Sequence, residues 1–429
     1  MKIEAAKTDT VRLVLDNAKI TNSTGAAINV VSASEAIIYT AAGTTNTVAD
    51  EANYTATGDD DPDAAIYSTA NLTLAGEGSL SVEGSYEEGI HTTGGLVIAS
   101  GTLEVNAANT GIKGKDYVDI TGGIVNVTAA QDGIKSTNTD DESLGFTRLS
   151  AGSVTVSAGD DGLKAPRTLE ISGGTLNIEK SNEGIEAQYI NILDGEVTVN
   201  STDDGINASL KDSSSDTSSD TTSGTAAAGQ QTQQNQNGQV QQAPAGGGAA
   251  PGGSQGSTGQ NQNMPQPPTD GAMPGGGGGT VTVNAEGDGI DSNGTATFSG
   301  GTVTVNGPVA GGNNALDSNG DLLLNGGSVT TGSTADMFEA PSSASTSGYL
   351  KITDSSALTQ GSTVQVTDSS GTVVANYKIT TSGVQLVLVS NKNIVKGQSY
   401  TVSVTSGSVD AASTTAASGT SELGSFTAA

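Results

Sequence analysis

The sequence contains no cysteine and no tryptophan, and His91 is its single histidine. The absence of cysteine excludes disulfide cross-links, thiol catalysis and zinc–thiolate sites. Aromatic residues make up only 3% of the chain, against 34% for all hydrophobic residues together. Any core must therefore consist of valine, isoleucine, leucine and alanine, which suits narrow, densely turned β-structure better than a broad globular core.

Basic residues are also few. The chain has 16 lysines and arginines and 46 acidic residues, so its net charge is −30. Nucleic acids and anionic membrane surfaces are poor partners for such a chain unless a cation intervenes. No segment is long enough to span a membrane, and Met1-Lys2-Ile3-Glu4 lacks the apolar run of a signal peptide. Either the protein is cytoplasmic, or this start is not the start of an exported precursor.

The chain does contain a repeat of about 22 residues, which is the first feature to seek in a sequence of this kind. Its marker is a corner of the form Asp/Glu-Gly-Ile, and its corner glycines are Gly89, Gly111, Gly133, Gly162, Gly184, Gly205 and Gly289. Ten residues before six of these lies a leading glycine: Gly101, Gly123, Gly152, Gly174, Gly195 and Gly279. Glycine supplies the positive φ that tight corners require.

Apolar residues follow each leading glycine at its second and fourth positions, as Val125 and Val127 follow Gly123. A period of two indicates a strand with its apolar side chains directed inward. A further apolar pair precedes the leading glycine, as in Leu169 and Ile171. Three short strands and three corners per repeat predict an all-β fold, a parallel β-helix of roughly ten coils in which each coil packs on its neighbours.

The repeat also predicts the layout of the chain. We expect a first part of the β-helix at residues 1–208 and its continuation at 279–344. Residues 209–278 are rich in Ser and Asp, then Gln and Asn, then Gly and Pro, which is the composition of a disordered insertion. Residues 345–429 lose the repeat and predict a C-terminal cap of β-strands that protects the exposed end of the solenoid.

The residue before the corner glycine is acidic in most coils. Equivalent positions of a β-helix lie about 4.8 Å apart, and two unit charges about 5 Å apart repel by ~3 kcal/mol at an effective dielectric of 20. Calcium takes about six to eight oxygen ligands in flexible geometry. The predicted calcium ligands are Asp132, Asp160, Asp161, Glu183, Asp203, Asp204 and Asp288. The alternative is a solvated acidic edge that salt screens.

A short basic strip lies two residues after the corner glycines and comprises His91, Lys113, Lys135 and Lys164. One interpretation is a groove in which these residues and a bound cation hold acidic sugars, and the other is simple charge balance with the neighbouring acids. In a calcium-dependent lyase, Lys164 or Lys135 would serve as the base that removes a sugar proton. His91 has no obvious serine partner, so a Ser/His/Asp site is not supported.

Several segments resemble a bacterial family of carbohydrate-binding β-helix proteins. They are 11–18, 20–28, 43–47 and 65–68, together with the repeated Asp-Gly-Ile-Lys corners. The resemblance covers roughly residues 10–340. It implies a right-handed, pectate-lyase-like β-helix that is exported or surface-attached, binds calcium, and recognises acidic galacturonans such as those of pectin, and cellulose. It further implies that Asp132, Asp160, Asp161, Asp203 and Asp204 bind calcium, and that the start of the chain is trimmed.

The sequence thus favours a non-catalytic, extracellular or cell-surface protein that binds an acidic, polygalacturonate-like cell-wall polysaccharide with bound calcium. The scarcity of aromatic residues argues against sugar stacking, and so makes crystalline cellulose the weaker ligand. Two alternatives remain open at this point. One is a calcium-dependent uronate lyase, and the other is a structural adhesin or matrix spacer without a specific ligand.

Overall fold

A computed structural model describes residues 1–55, 58, 61–209, 273–275, 278–353, 358–406, 409, 413–415, 417 and 420–429. All regular structure in these ranges is β, so none of the described residues forms a helix that could cross a membrane. The predicted insertion at 209–278 lies outside the described residues, except for Ser209, Gly278 and a short strand at 273–275.

The strands are short, and most have three to seven residues. In chain order they are β1 (Lys2–Glu4), β2 (Thr10–Leu15), β3 (Lys19–Thr21), β4 (Ile28–Ser32), β5 (Glu35–Thr40), β6 (Thr45–Ala49), β7 (Ala64–Ser68), β8 (Asn71–Gly76), β9 (Ser79–Gly84), β10 (Glu88–Thr92), β11 (Gly95–Ile98), β12 (Thr102–Ala107), β13 (Ile112–Gly114), β14 (Tyr117–Ile120), β15 (Ile124–Ala129), β16 (Ile134–Ser136), β17 (Phe146–Leu149), β18 (Ser153–Ser157), β19 (Leu163–Ser181), β20 (Ile185–Ser201), β21 (Ile206–Ala208), β22 (Met273–Gly275), β23 (Thr280–Ala285), β24 (Ile290–Ser292), β25 (Ala296–Asn306), β26 (Leu316–Ser318), β27 (Leu322–Ser333), β28 (Tyr349–Thr353), β29 (Thr363–Thr367), β30 (Val373–Lys378), β31 (Leu386–Ser390), β32 (Ser399–Thr405) and β33 (Thr420–Thr427).

Strands of successive coils pair in parallel and in register, which confirms the predicted parallel β-helix, with about 11 turns. One column of strands runs β4, β7, β10, β13 and β16, continues through the first residues of β19 and β20, and ends at β21, β24 and β26. The other two columns follow the same order of coils, and the long strands β19, β20, β25 and β27 contribute to more than one column. Each coil therefore stacks its residues directly on the equivalent residues of the next.

The core consists of aliphatic side chains that point inward at every second position. The residue after each corner glycine is fully or almost fully buried: Ile90, Ile112, Ile134, Leu163, Ile185, Ile206 and Ile290. Burial of one such side chain contributes about 1.5–3 kcal/mol. The same register that stacks these residues inside also fixes the corner residues on either side of them.

Two different physical reasons select glycine in the repeat. Five of the six leading glycines, Gly101, Gly123, Gly152, Gly174 and Gly195, have φ between 81° and 100°, as predicted, whereas Gly279 does not adopt a positive φ. The corner glycines do not adopt a positive φ. A Cβ at Gly184 would lie 2.2 Å from the carbonyl oxygen of Gly205 and 2.2 Å from Cγ1 of Val199. The corner glycines are therefore required because adjacent coils approach too closely for any side chain.

The C-terminal strands close the last coil. β31 pairs antiparallel with both β27 and β28, and β29, β30, β32 and β33 form a separate antiparallel sheet. The ring of Tyr377 lies against Gly332, where a Cβ would come within 2.1 Å of the phenol oxygen. Tyr377 donates a hydrogen bond of 3.0 Å to Oδ1 of Asn306. Asn306 donates to Asn284, and Asn284 donates to Asn200, so the last strands connect to a ladder of stacked asparagines.

Gly184→Ala is expected to destabilise the protein by about 1–3 kcal/mol, because overpacking of this size forces the backbone of adjacent coils apart. Gly25→Ala is the matched control, since a Cβ there would lie 3.6 Å from the nearest atom and its φ is not positive. That control should change the free energy of unfolding by less than about 1 kcal/mol. Urea unfolding of both variants measures the difference, and equal stabilities would contradict the close-approach explanation.

Candidate functional site

The residues before the corner glycines form one column along the β-helix, here called the acid column. Backbone hydrogen bonds of 2.8–3.1 Å join each corner glycine N–H to the carbonyl oxygen of the next member. The acid column comprises Glu88, Thr110, Asp132, Asp161, Glu183, Asp204, Asp288 and Asn314. Successive coils thus place carboxyl groups at the strand spacing, as the sequence predicted.

The residues two positions after the corner glycines form a second column, here called the flanking column. Its members pair in register from coil to coil and are His91, Lys113, Lys135, Lys164, Glu186, Asn207, Asp291 and Asp317. The flanking column changes from basic to acidic at Glu186. The stacked corners of successive coils are here called the corner. The flanking column divides the corner into a lysine-bearing part, with Lys113, Lys135 and Lys164, and a lysine-free part after Glu186.

In the lysine-bearing part, each lysine forms an ion pair with the acid column. The ammonium nitrogen lies 3.1 Å from Glu88 Oε1 for Lys113, 2.7 Å from Asp132 Oδ2 for Lys135, and 2.6 Å from Asp161 Oδ2 for Lys164. Lys164 also contacts Glu186. Three of the residues predicted to bind sugar therefore serve first as counterions inside the protein.

Three of the predicted calcium ligands come together in this part. Asp132, Asp160 and Asp161 each bring a carboxylate oxygen within 4.8 Å of the others. A second group of the same size combines Asp161 with Glu183 and Glu186. Burial raises the pKa of Asp161 to about 8 in spite of its hydrogen bond to Lys164. Burial and the neighbouring Asp132 also raise the pKa of Asp160.

The lysine-free part contains Asp203, Asp204, Asp288, Asp291, Asp317 and Glu339. Among the residues that the structure describes, no lysine, arginine or histidine pairs with any of the six. Asp288, Asp291 and Asp317 bring oxygens within 4.8 Å of one another.

Backbone amides position two of the three remaining carboxylates of this part. Asp204 Oδ1 accepts a hydrogen bond of 2.7 Å from the N–H of Asp288. Glu339 Oε2 accepts one of the same length from the N–H of Ser318. These bonds hold Asp204 and Glu339 beside the group of three.

Burial removes hydration from Asp204, Asp291 and Glu339 without supplying a counterion. Burial, together with the nearby charges of Asp288, Asp203 and Asp291, raises the pKa of Asp204 to about 7. Burial and the charges of Asp288 and Asp317 raise the pKa of Asp291 to about 6. Burial likewise raises the pKa of Glu339 to about 7. The lysine-free part consequently favours either protons or an external cation.

His91 lies apart from the lysine-free part, at the first coils of the corner. Its Nδ1 lies 2.5 Å from Oδ1 of Asp63, and only 9% of the residue is exposed. The sequence predicted that His91 lines a sugar groove with the lysines, and that role remains a prediction. In the structure His91 contacts Asp63 and the edge of the Tyr67 ring.

Some of the acids at the corner were not among the predicted ligands. Glu186, Asp291 and Asp317 occupy the flanking column, so the repeat register alone would have identified them. Asp63 precedes the first clear corner, and Glu339 follows the last long strand of the β-helix. Asp63 directly precedes Ala64, which pairs in register with Glu88, so the register would have placed Asp63 beside the corner. No sequence signal marks Glu339, because it follows the repeat.

A curated relative from Acetivibrio thermocellus, described as a carbohydrate-binding domain-containing protein, is 37% identical over 97 residues. That match covers 22% of this chain and 34% of the relative, so the chain spans about a third of the relative's length.

A solved structure described as the polysaccharide lyase-like protein from C. thermocellum, in a gadolinium derivative, is 31% identical in sequence. The match has a TM-score of 0.40 and covers 45% of this chain and 81% of that chain. A model of the family described as carbohydrate-binding domain-containing protein matches residues 1–241, which is more than half of the 429 residues. The chain therefore belongs to the carbohydrate-binding domain-containing protein family.

Proposed function

We propose that this protein is a non-catalytic, extracellular or cell-surface binder of an acidic, polygalacturonate-like polysaccharide, and that calcium bound at the corner mediates the binding. Membership of a carbohydrate-binding family supports the general class of ligand. The observation that carries the rest is the lysine-free part of the corner, where six carboxyl groups have no protein counterion among the described residues.

The net charge favours a bridging cation. A chain with a net charge of −30 repels a polyanion at long range. A polygalacturonate-like polymer therefore needs a cation to approach the acidic surface. Calcium suits this role, because it takes carboxylates from both partners and keeps some sites for water or ligand. Weak calcium modules with dissociation constants of about 10⁻⁴–10⁻³ M are typical of the extracellular space.

The donor set of the lysine-free part fits calcium. Asp288, Asp291 and Asp317 supply three carboxylates within 4.8 Å of one another. Asp204 and Glu339 lie next to them and supply further oxygens. An all-oxygen set with several carboxylates matches the preference of a hard cation. We infer that Asp288, Asp291 and Asp317 form the strongest calcium site of the chain.

The lysine-bearing part fits calcium less well. Asp132, Asp160 and Asp161 also bring three oxygens within 4.8 Å. Lys135 and Lys164, however, already neutralise Asp132 and Asp161 at 2.7 and 2.6 Å. A cation that enters this group must compete with two ammonium groups. We infer that calcium binds here more weakly than at Asp288, Asp291 and Asp317.

The aromatic residues support an ionic rather than a stacking mode of sugar binding. Tyr117 and Phe146 stack on each other with ring centroids 4.9 Å apart. The guanidinium of Arg148 lies 5.0 Å from the Phe146 centroid, and the Tyr117 ring packs over Gly95. Neighbours thus cover faces of the Tyr117 and Phe146 rings, on which a sugar would otherwise stack. An electrostatic contact through calcium and the partly exposed lysines is the mode that the surface supports.

The ion pairs argue against a lyase that uses Lys164 as its base. Burial alone would lower the pKa of Lys164, but hydrogen bonds to Asp161 and Glu186 raise it well above its ordinary value. A base of this kind is protonated at neutral pH and cannot remove a sugar proton. Lys135 is likewise paired with Asp132. Formation of an unsaturated, ultraviolet-absorbing product from polygalacturonate would establish the enzymatic alternative instead.

The direct test combines calcium, polygalacturonate and the double variant Asp291→Asn/Asp317→Asn. For the wild-type protein we expect calcium to raise the melting temperature by several degrees, because a ligand at 100 times its Kd stabilises by about 2.7 kcal/mol. We also expect calcium-dependent retention on immobilised polygalacturonate. Both effects should be largely lost in the double variant, since the site loses two of its three central carboxylates.

The matched control is Glu77→Gln/Glu104→Gln, which removes two exposed acids outside the acid column and the flanking column and changes the net charge equally. It should retain both effects. Equal loss in the two double variants would show that net charge alone governs binding. Absence of any calcium effect in the wild-type protein would favour an adhesin or spacer without a calcium-dependent ligand.

The stability of the calcium-free protein should fall as pH rises from about 5 to about 7.5. Asp204, Asp291 and Glu339 have folded-state pKa values of about 7, 6 and 7, above those of unfolded carboxyls. The folded state therefore binds more protons than the unfolded state across this range, so raising the pH removes stability. Thermal melts in a chelator measure this slope, and saturating calcium should flatten or reverse it. A chelated protein that gains stability over this range would contradict the prediction.

Lys164→Gln should make the lysine-bearing part dependent on an added cation. It leaves Asp161 and Glu186 without their counterion, so the melting temperature in a chelator should fall and calcium should restore it. Lys180→Gln removes an exposed lysine and is the matched control, for which no such recovery is expected. A calcium response no larger in the Lys164 variant than in this control would argue against lysine and calcium acting as alternative counterions.

A further inference from the structure

A second group of possible metal ligands lies at the first coils of the corner, away from the lysine-free part. Asp63, Glu88 and His91 each bring one ligating atom within 4.8 Å of the others. Glu88 belongs to the acid column and His91 to the flanking column, while Asp63 comes from the preceding coil. His91 is the only histidine of the chain. This group therefore differs from the all-carboxylate groups in offering a nitrogen donor.

The group holds a buried carboxylate oxygen without an N–H or hydroxyl donor. Glu88 is only 3% exposed. Its Oε1 accepts a hydrogen bond of 3.1 Å from Lys113, whereas its buried Oε2 has no N–H or hydroxyl donor. Apart from Lys113, the side chain that the Glu88 carboxyl meets is another acid, Asp63, with which it can only share a proton. On the next rung of the acid column, Oγ1 of the fully buried Thr110 also lacks a partner. A buried polar atom left unsatisfied destabilises a fold, so these two oxygens indicate a ligand at this place.

The backbone and loop around the group keep its donors in place. The N–H of Glu88 donates to the carbonyl oxygen of Asp63 at 3.0 Å. Tyr54 donates to the carbonyl oxygen of Ala64 at 2.9 Å, and its ring stacks on Tyr86 with centroids 4.1 Å apart. Asp63 and Glu88 are thus fixed by adjacent backbone before any ion arrives, which lowers the cost of binding.

Lys113 provides the positive charge of the group in the metal-free protein. Its ammonium nitrogen lies 3.1 Å from Glu88 Oε1 and 3.7 Å from Asp63 Oδ2. About a fifth of its side chain is exposed, so the ammonium can turn outward when another cation takes its place. The two carboxylates then keep a positive partner throughout.

We propose that Asp63, Glu88 and His91 form a site for a divalent first-row transition metal, with zinc as the preferred ion. One imidazole and two carboxylates are ligands that zinc accepts readily, whereas calcium prefers oxygen donors alone. The site is separate from the proposed calcium site and does not depend on the proposed function. Its chemical class follows from the nitrogen donor, which no other described group of acids contains.

The test uses the full chain, stripped of metal by a chelator and titrated with Zn²⁺ and with Co²⁺ in the presence of excess calcium. We expect one high-affinity ion per chain, observed by calorimetry and by the visible absorption of Co²⁺. His91→Gln and Glu88→Gln should each weaken binding by about tenfold or more, as loss of ligands and their supporting contacts commonly does. Glu87→Gln, which changes an adjacent acid outside the group, should leave the affinity within about threefold of the wild type.

A second measurement keeps the proposal testable if the variants fold poorly. The ring signals of the only histidine can be followed by NMR in the wild-type protein during the titration. They should shift and saturate at one equivalent of Zn²⁺. Unshifted histidine signals at saturating Zn²⁺, or equal Zn²⁺ affinities for the wild type and His91→Gln, would overturn the proposal and leave only nonspecific binding to the acidic surface.

Discussion

Registered stacking of the coils is the constraint on which the rest of the molecule depends. Because each coil repeats the last at the strand spacing, residues at equivalent positions of the repeat stack directly on one another. For isoleucine and valine this produces a continuous core. For aspartate and glutamate it produces repulsion of ~3 kcal/mol per neighbouring pair at an effective dielectric of 20. The same stacking that buries the aliphatic residues therefore places carboxylates close enough to repel one another at the corner.

The groups that neutralise these carboxylates differ along the length of the corner. From Lys113 to Lys164, the flanking column places an ammonium group against each acid of the adjacent rungs. From Asp203 onward the described residues provide no such group, and burial instead raises the pKa of Asp204 and Asp291. A lysine, a proton or the proposed metal ion can each neutralise the negative charge of an acid at the corner. The proposed calcium and zinc sites would both neutralise acids that the register of the coils brings close together.

Much of this arrangement could be predicted from the sequence, because the length of the repeat and its apolar spacing determine which residues stack on one another. The buried Ile90 and Ile112, the strands and the acid column all follow from a fixed offset and the period of two. The role of the corner glycines did not follow, since a sequence cannot distinguish a need for positive φ from a need for space, as at Gly184. The lysine ion pairs were left open as one of two interpretations, because side-chain direction is not set by register.

Residues outside the repeat escaped prediction for a related reason. Glu339 reaches the corner from a segment after the last long strand of the β-helix, and the path of that segment depends on tertiary packing. Asp63 lies in register just before Ala64, the partner of Glu88, but its coil has alanine in place of the corner glycine. The sole histidine offered no pattern to compare with, so its contact with Asp63 became visible only in three dimensions. Periodicity thus identifies residues that recur at the same position in every coil, but it does not identify a functional residue that occurs in one coil.

The hydrogen bond from Asp288 to Asp204 joins residues 84 positions apart, whereas equivalent bonds elsewhere join residues about one repeat apart. Closing a chain segment of that length costs about 1.2 kcal/mol more than closing one of 22 residues. This junction between coils is consequently the least favoured to form by chance encounter. A divalent ion bound by Asp204 as well as by Asp288 would join the two sides of this junction, so that ligand binding would stabilise the pair of coils that is hardest to bring together.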